Sequence, residues 1–327
     1  MCQLESIGDL VLRIQARPVQ VVDAGDDSCL EDFGEPVLFR GMQRGWPAGT
    51  SWSADFFAER YGDAPVPVRS YPPGSEYEFS VERDTLGNYL NYWRETDPDP
   101  DCAGRRLYLA EWNFTRDYPE LSDFFQIPAL FSDDWIDRLP EQVRFGRMWL
   151  FFGEPGCSTG LHTDTFSTSA WLAMIFGRKA LRLLHPSRSG ALARGDSLWD
   201  EKTLSRILPD GDTGLLLEVV LGPGETLYIP GDWYHEVRNL DRNLMLTANF
   251  AEERRLLSFL ERFESRLTEP LTRLRELRNE HVRRWREREC RTSELDSAEF
   301  RDRQLVWTDE VTAGLTDYRR TLTGLGH

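Results

Sequence analysis

Between about residues 105 and 250 the chain breaks into short apolar or alternating runs, and this texture constrains the fold more than any other feature. The runs are "RRLYLAEWNF", "VRFGRMWLFFG", "STSAWLAMIFG", "KALRLLHP", "LLLEVVLGPGETLYIPGDWYHEVRNL" and "NLMLTANF". Gly, Pro, Asp and Asn punctuate them. Segments this short, each closed by turn residues, favour antiparallel strands over helices. They predict a sandwich or barrel. One polar, Gly-rich stretch, "SRSGALARGDSLWDEKTLSRILPDGDTG", reads as a long connection between strands.

The flanks have a different texture. Residues 1–104 read as an α/β extension. "EPVLFRGM" and "APVPVRSY" are strand-like, and "SADFFAERYG" is a helix with a serine N-cap and a closing glycine. Residues 71–104 are rich in Pro, Asp and Glu around a helical "DTLGNYLNYWRE". They read as a lid, a substrate-facing insertion or a plain surface excursion. Residues 251–327 carry apolar positions at helical spacing in a charged background, interrupted near Pro270. Such a helical segment packs on its own domain or on a second copy, so a homodimer through the C-terminal helices is an expectation. The expected organisation is therefore 1–104, 105–250 and 251–327.

Charge and cysteine usage narrow the function classes. A formal net charge of −16 argues against a general nucleic-acid binder, which needs a basic face for phosphates. Cys2, Cys29, Cys102, Cys157 and Cys290 are scattered and form no CxxC pair. Neither a disulfide framework nor a cysteine-rich zinc site is expected, and a reducing, cytoplasmic setting is. No apolar run is long enough to span a bilayer, and the first residues carry no apolar signal core.

Of five histidines, one stands in "STGLHTDTFSTSAW" two positions before an aspartate. On a strand, residues i and i+2 share a face, so His162 and Asp164 would both aim inward. A third ligand is required. His327 is the last residue, His281 lies in the charged tail, and His185 precedes Pro186 and could cap a turn. His235 stands beside tight turns in "GPGETLYIPGDWYHEVRNL" and is the strongest candidate. Two histidines and one carboxylate leave coordination positions open, which suits a non-heme Fe(II) that also holds a co-substrate and O2. The alternative is a pair of hydrogen-bonded core histidines. Lys179 starts an apolar strand and alternates with Leu181 and Leu183. Pointing inward it needs an anion, because lysine is rarely buried unpaired. A dicarboxylate chelating the metal at its other end would supply one; the alternative is a strand-end lysine reaching solvent.

"GEPGCSTGLHTDTFSTSAWLAMIFGRKALRLLHPS" and "LGPGETLYIPGDWYHEVRNLDRNLMLTANF" together resemble the Jumonji-C family. More narrowly, they resemble its small cupin-like hydroxylases, among them the Jumonji lysyl hydroxylases. The resemblance covers about residues 30–250. It implies a mainly β fold, a double-stranded β-helix (jelly-roll), with Fe(II), 2-oxoglutarate as co-substrate, and O2. It puts His162, Asp164 and His235 on the metal ligands and Lys179 on the partner of the 2-oxoglutarate C5 carboxylate. Thr159 matches a threonine that reaches the same carboxylate, Tyr108 a tyrosine lining the co-substrate pocket, and Asn249 an asparagine near the metal. Two departures stand out. Relatives often read Pro-Gly-Gly-Trp-Trp-His, whereas this chain has Asp232 and Tyr234 within "PGDWYH". Where the lysyl hydroxylases carry an asparagine after Ser-Ala-Trp, it has Leu172, so that branch's substrate does not transfer. The implied activity is hydroxylation of an unactivated C–H bond of an amino acid, in a peptide or protein, free, or carrier-bound. The competing readings are an N-methyl demethylase and a non-oxygenase metal-binding cupin. No nucleic-acid or membrane partner is expected.

Overall fold

The structure is a computed structural model, and it describes residues 16–23, 33–75, 77–95, 105–139, 144–209 and 213–265, with Asn279 and Arg283. Its first strands are β1 (Arg17–Pro18), β2 (Gln20–Asp23), β3 (Val37–Arg40), β4 (Pro65–Tyr71), β5 (Ser80–Thr85) and β6 (Arg106–Trp112). Then follow β7 (Met148–Gly153), β8 (Ser158–His162), β9 (Ser169–Phe176), β10 (Lys179–Leu184), β11 (Leu216–Leu221), β12 (Glu225–Ile229), β13 (Tyr234–Asn239) and β14 (Asn243–Phe250). From β7 onward the antiparallel pairs are nested: β7 with β14, β8 with β13, β9 with β12, β10 with β11. Nesting deals successive strands alternately to two sheets, which is the jelly-roll arrangement. The larger sheet runs β2-β3-β12-β9-β14-β7-β6-β4-β5, the smaller β1-β11-β10-β13-β8.

Strand parity then assigns every side chain of the central strands. On β9, Trp171, Ala173 and Ile175 join one core cluster, while Ala170, Leu172 and Met174 join another. β14 splits the same way, with Leu244, Leu246, Ala248 and Phe250 on one side and Met245 on the other. The second cluster also takes Leu181, Leu183, Val219 and Val237 from the smaller sheet, so it is the filling between the sheets. Every residue of β14 is buried, as expected for a strand covered on both faces.

The outer face of the larger sheet is covered by the N-terminal helices. Helix α1 spans Ala48–Ser51 and α2 Ala54–Tyr61, where the Ser53 side chain accepts from the Phe56 amide at 3.1 Å. Helix α3 (Leu86–Glu95) buries Leu86, Tyr89, Leu90 and Trp93. The Tyr89 hydroxyl donates to the Phe152 carbonyl at 2.6 Å, and Trp93 Nε1 to that of Gly153 at 3.1 Å. The described part of residues 71–104 is thus an edge strand and a core helix rather than a surface excursion. The helix itself was legible in "DTLGNYLNYWRE"; its packing into the core was not. The connection after β10 likewise holds a helix, α4 (Glu201–Ile207), capped by the Asp200 side chain on the Thr203 amide at 2.9 Å.

Two compact units are present: Met1–Arg138 with Arg144–Arg255, and Leu139–Val143 with Leu256–His327. In the second, residues 256–265 are helical, and Phe259 stacks on Phe263 with ring centroids 5.6 Å apart. The break near Pro270, the second tail helix, His281 and His327 lie outside the described residues. Cys157 is buried and free; the other four cysteines also lie outside. Among the described residues no helix is long and apolar enough to cross a membrane.

Candidate metal centre and adjoining pocket

His162 is the last residue of β8, and His235 sits directly opposite it in register on β13. Their ring centroids are 4.2 Å apart. Asp164 lies past the end of the strand, where it leads into a 3-10 turn at Thr165–Ser167. It keeps an extended backbone, with ψ 150°, which preserves the i, i+2 relation to His162. The ligand atoms of His162, Asp164 and His235 all lie within 4.8 Å of one another.

Hydrogen bonding assigns the imidazole tautomers. His162 Nδ1 meets the Gly160 carbonyl at 2.8 Å and His235 Nδ1 the Trp233 carbonyl at 3.1 Å. A carbonyl only accepts, so each Nδ1 carries a proton, which leaves Nε2 as the ring atom available to a metal. Desolvation and the neighbouring His235 push His162 below the usual imidazole range, which favours its neutral form. Two imidazoles oriented by backbone carbonyls, with one carboxylate, fit a divalent first-row metal.

The turn ahead of His235 explains the local sequence. A Cβ added at Gly231 would meet the Ser167 carbonyl oxygen at 2.1 Å, so only glycine fits. Asp232 takes a left-handed φ of 68°. Glycine adopts that conformation without cost, and Asp is among the few residues that tolerate it. Asp232 also accepts the Ser167 hydroxyl at 2.8 Å and pairs with Arg255 at 3.2 Å. The departure from the relatives' Gly-Gly pair therefore preserves the turn.

Behind the triad lies a cavity of about 250 Å³. Tyr108, Thr159, His162, Asp164, Lys179, His235 and Asn249 all line it. Lys179 is 1% exposed, and its ammonium donates to the Tyr108 hydroxyl at 2.9 Å. Among the described residues no carboxylate pairs with it. Burial and the nearby Arg69 push Lys179 down to about 7. A buried, unpaired cation is costly, so this end of the cavity favours an incoming anion. Asn249 donates to Thr168 Oγ1 at 2.9 Å, which fixes its amide. Leu172 lines the cavity as an apolar wall.

Three aromatics near the motifs stay out of the cavity lining. Trp171 belongs to the core on the opposite face of the sheet, Trp233 packs edge-on to His185, and Tyr234 joins the cluster around Leu184. His185 caps a 3-10 turn, accepting from the Ser187 amide at 3.1 Å. Sequence reasoning missed two charged neighbours of the site, Arg69 on β4 and Glu111 on β6. The signal for Arg69 was present: it alternates with the buried Val66 and Val68 in "APVPVRSY", which puts it on the opposite face.

A family model described as a cupin-like domain matches residues 28–255. The lysine-specific demethylase JMJ21 of Arabidopsis thaliana is 28% identical over 68% of this chain and 24% of its own length. The human 2-oxoglutarate and iron-dependent oxygenase JMJD4 is 29% identical over 64% of this chain and 52% of its own. The bifunctional arginine demethylase and lysyl-hydroxylase psr-1 of Caenorhabditis elegans is 23% identical over 71% of this chain and 61% of its own. The match thus spans less than two thirds of each of these relatives.

Proposed function

This chain belongs to the cupin-like domain family, and from that premise we propose that it is an Fe(II)- and 2-oxoglutarate-dependent hydroxylase of an amino-acid residue in a peptide or protein. The observation that carries the reading is one cavity with a two-histidine, one-carboxylate cluster at one end and, at the other, a buried lysine that no carboxylate among the described residues pairs with. A metal-binding cupin with no dicarboxylate to hold has no use for that lysine. Relatives named as iron- and 2-oxoglutarate-dependent oxygenases support the cofactor assignment.

His162, Asp164 and His235 would hold the iron. Bound there with 2-oxoglutarate, the metal supplies the O2-dependent oxidation of a C–H bond, coupled to decarboxylation of the keto acid to succinate. The protein's part is position and dryness. Lys179 takes the distal carboxylate by charge, and Thr159 and Tyr108 orient it through their hydroxyls. The Gly160 and Trp233 carbonyls keep both imidazoles in the metal-binding tautomer. Leu172, Val237 and Met245 are apolar walls that limit water around the reacting centre. The scattered cysteines and the free, buried Cys157 support a reducing, cytoplasmic setting.

The first test is succinate release from 2-oxoglutarate by the iron-loaded protein, lost in His235→Ala. A peptide screen by mass spectrometry then reads the product. Retained gain of one oxygen supports hydroxylation. Formaldehyde release supports N-methyl demethylation, the second reading, favoured by the relatives named as demethylases.

A further inference from the structure

Arg69 stands on β4 beside the cavity, with a side chain only 11% exposed. Its Nη1 donates to Thr159 Oγ1 at 3.4 Å. The guanidinium lies over the Phe79 ring at 4.7 Å and the Tyr108 ring at 5.8 Å. Its other arm pairs with Glu111, which is 59% exposed at the cavity wall. Glu111 reaches that place from a left-handed φ of 62°, at a register shift in the β6–β7 pairing. Such bulges re-aim side chains.

Four groups therefore form a chain: Arg69 to Thr159, Thr159 against Tyr108, and Lys179 to Tyr108. The two cations can only donate, and each hydroxyl brings a single proton. Each hydroxyl already accepts from a cation. One proton suffices for the contact between them, so the other has no acceptor within the chain. The spare N–H bonds of Lys179 add to the surplus. A carboxylate, which only accepts, answers all of these donors at once. Glu111 offsets the Arg69 charge only partly, because solvent screens an exposed carboxylate.

We propose that Arg69 is a positioning residue for the co-substrate: through Thr159 and its own charge it sets the pocket's preference for a dicarboxylate over a monocarboxylate keto acid. This rests on the co-substrate reading above and adds to it a cation that the sequence motifs do not contain.

The test compares the Kd of 2-oxoglutarate with that of 2-oxobutyrate, which lacks the distal carboxylate, on the full chain loaded with Mn(II). In the wild type the dicarboxylate should bind about a hundredfold more tightly. R69Q should cut that ratio about tenfold and leave 2-oxobutyrate affinity unchanged, whereas a purely structural role would weaken both ligands alike. E111Q, which removes the neutralising carboxylate, should raise the ratio about threefold. R69K keeps the charge without the fork and should fall between R69Q and wild type. An unchanged ratio in R69Q, or equal weakening of both ligands, overturns the inference. If R69Q does not fold, E111Q decides, since an exposed carboxylate tolerates the change: an unchanged or lowered ratio overturns it. Absence of discrimination in the wild type would instead remove the co-substrate reading. Discrimination lost in K179A but kept in R69Q would remove only the role of Arg69.

Discussion

On β9 and β14 alternate residues face two different tasks. Outward, Trp171 stacks on Phe131 with planes 9° apart, and on β7 Phe152 meets Phe57 edge-on at 5.1 Å and Trp93 at 6.2 Å. Inward, the same two strands present Ala170, Leu172, Met245, Thr247 and Asn249 to the cavity. Large rings close one face of the sheet; small or slender side chains leave room on the other. The difference teaches that rigidity and chemistry are separated by strand parity, one residue apart. A strand pinned by aromatics on its outer face can hold polar groups on its inner face without collapsing onto them.

That contrast makes ordered predictions. His162→Ala, Asp164→Ala or His235→Ala should abolish turnover and iron binding while thermal unfolding of the metal-free protein shifts little; metal analysis beside calorimetry checks both halves. Phe152→Ala, on the outer face, should cost about 3–5 kcal/mol of stability and keep iron binding in the protein that remains folded, measured by denaturant titration. Lys179→Ala should weaken 2-oxoglutarate binding roughly a hundredfold, about 3 kcal/mol, with iron affinity retained.

The fourth prediction concerns pH. In the folded chain Lys179 is depressed to about 7, from an ordinary value of 10.5. Between those values the unfolded chain holds more protons, so the Lys179 contribution to metal-free stability improves as pH rises through that window. Below about 7 both states are protonated and the buried charge exacts its full penalty. The co-substrate dianion prefers the charged lysine. Its affinity should therefore fall as pH climbs above 7, by up to about tenfold per unit, with proton uptake on binding. Calorimetry in buffers of different ionisation enthalpy reads that uptake, and Lys179→Met should lose it. The smallest effect belongs to Tyr108→Phe, which removes the hydroxyl that holds Lys179 in place and orients the distal carboxylate, and should weaken 2-oxoglutarate by about 1 kcal/mol. A loss as large as that of Lys179→Ala would mean that the hydroxyl, rather than the ammonium, dominates that end of the cavity.

Much of this was legible in the sequence because its signals are local. Short strands carry their own alternation and turns, and a histidine two residues from an aspartate shares its face on any extended backbone. Lys179 was readable from its alternation with Leu181 and Leu183. What escaped needed the third dimension. Helix α4 was hidden because its polar, Gly-rich surroundings resemble a loop, although Asp200 provided a cap signal. Trp171 stands beside the motif in sequence but across the sheet in space. Arg69 reaches the site only because β4 pairs with β6, where Arg69 lies opposite Tyr108, and no sequence period links those two strands. Glu111 depends on a bulge whose left-handed backbone nothing in "LYLAEW" announces.

The most direct test of the central claim is an anaerobic optical titration of the Fe(II)-loaded protein with 2-oxoglutarate. A keto acid chelating ferrous iron gives a visible charge-transfer absorption, without turnover or any knowledge of the substrate. The account predicts a saturable band in the wild type, a band requiring far more 2-oxoglutarate in Lys179→Ala, and none in His235→Ala. Iron bound by the wild type with no such band, or a band that survives in His235→Ala, would contradict it.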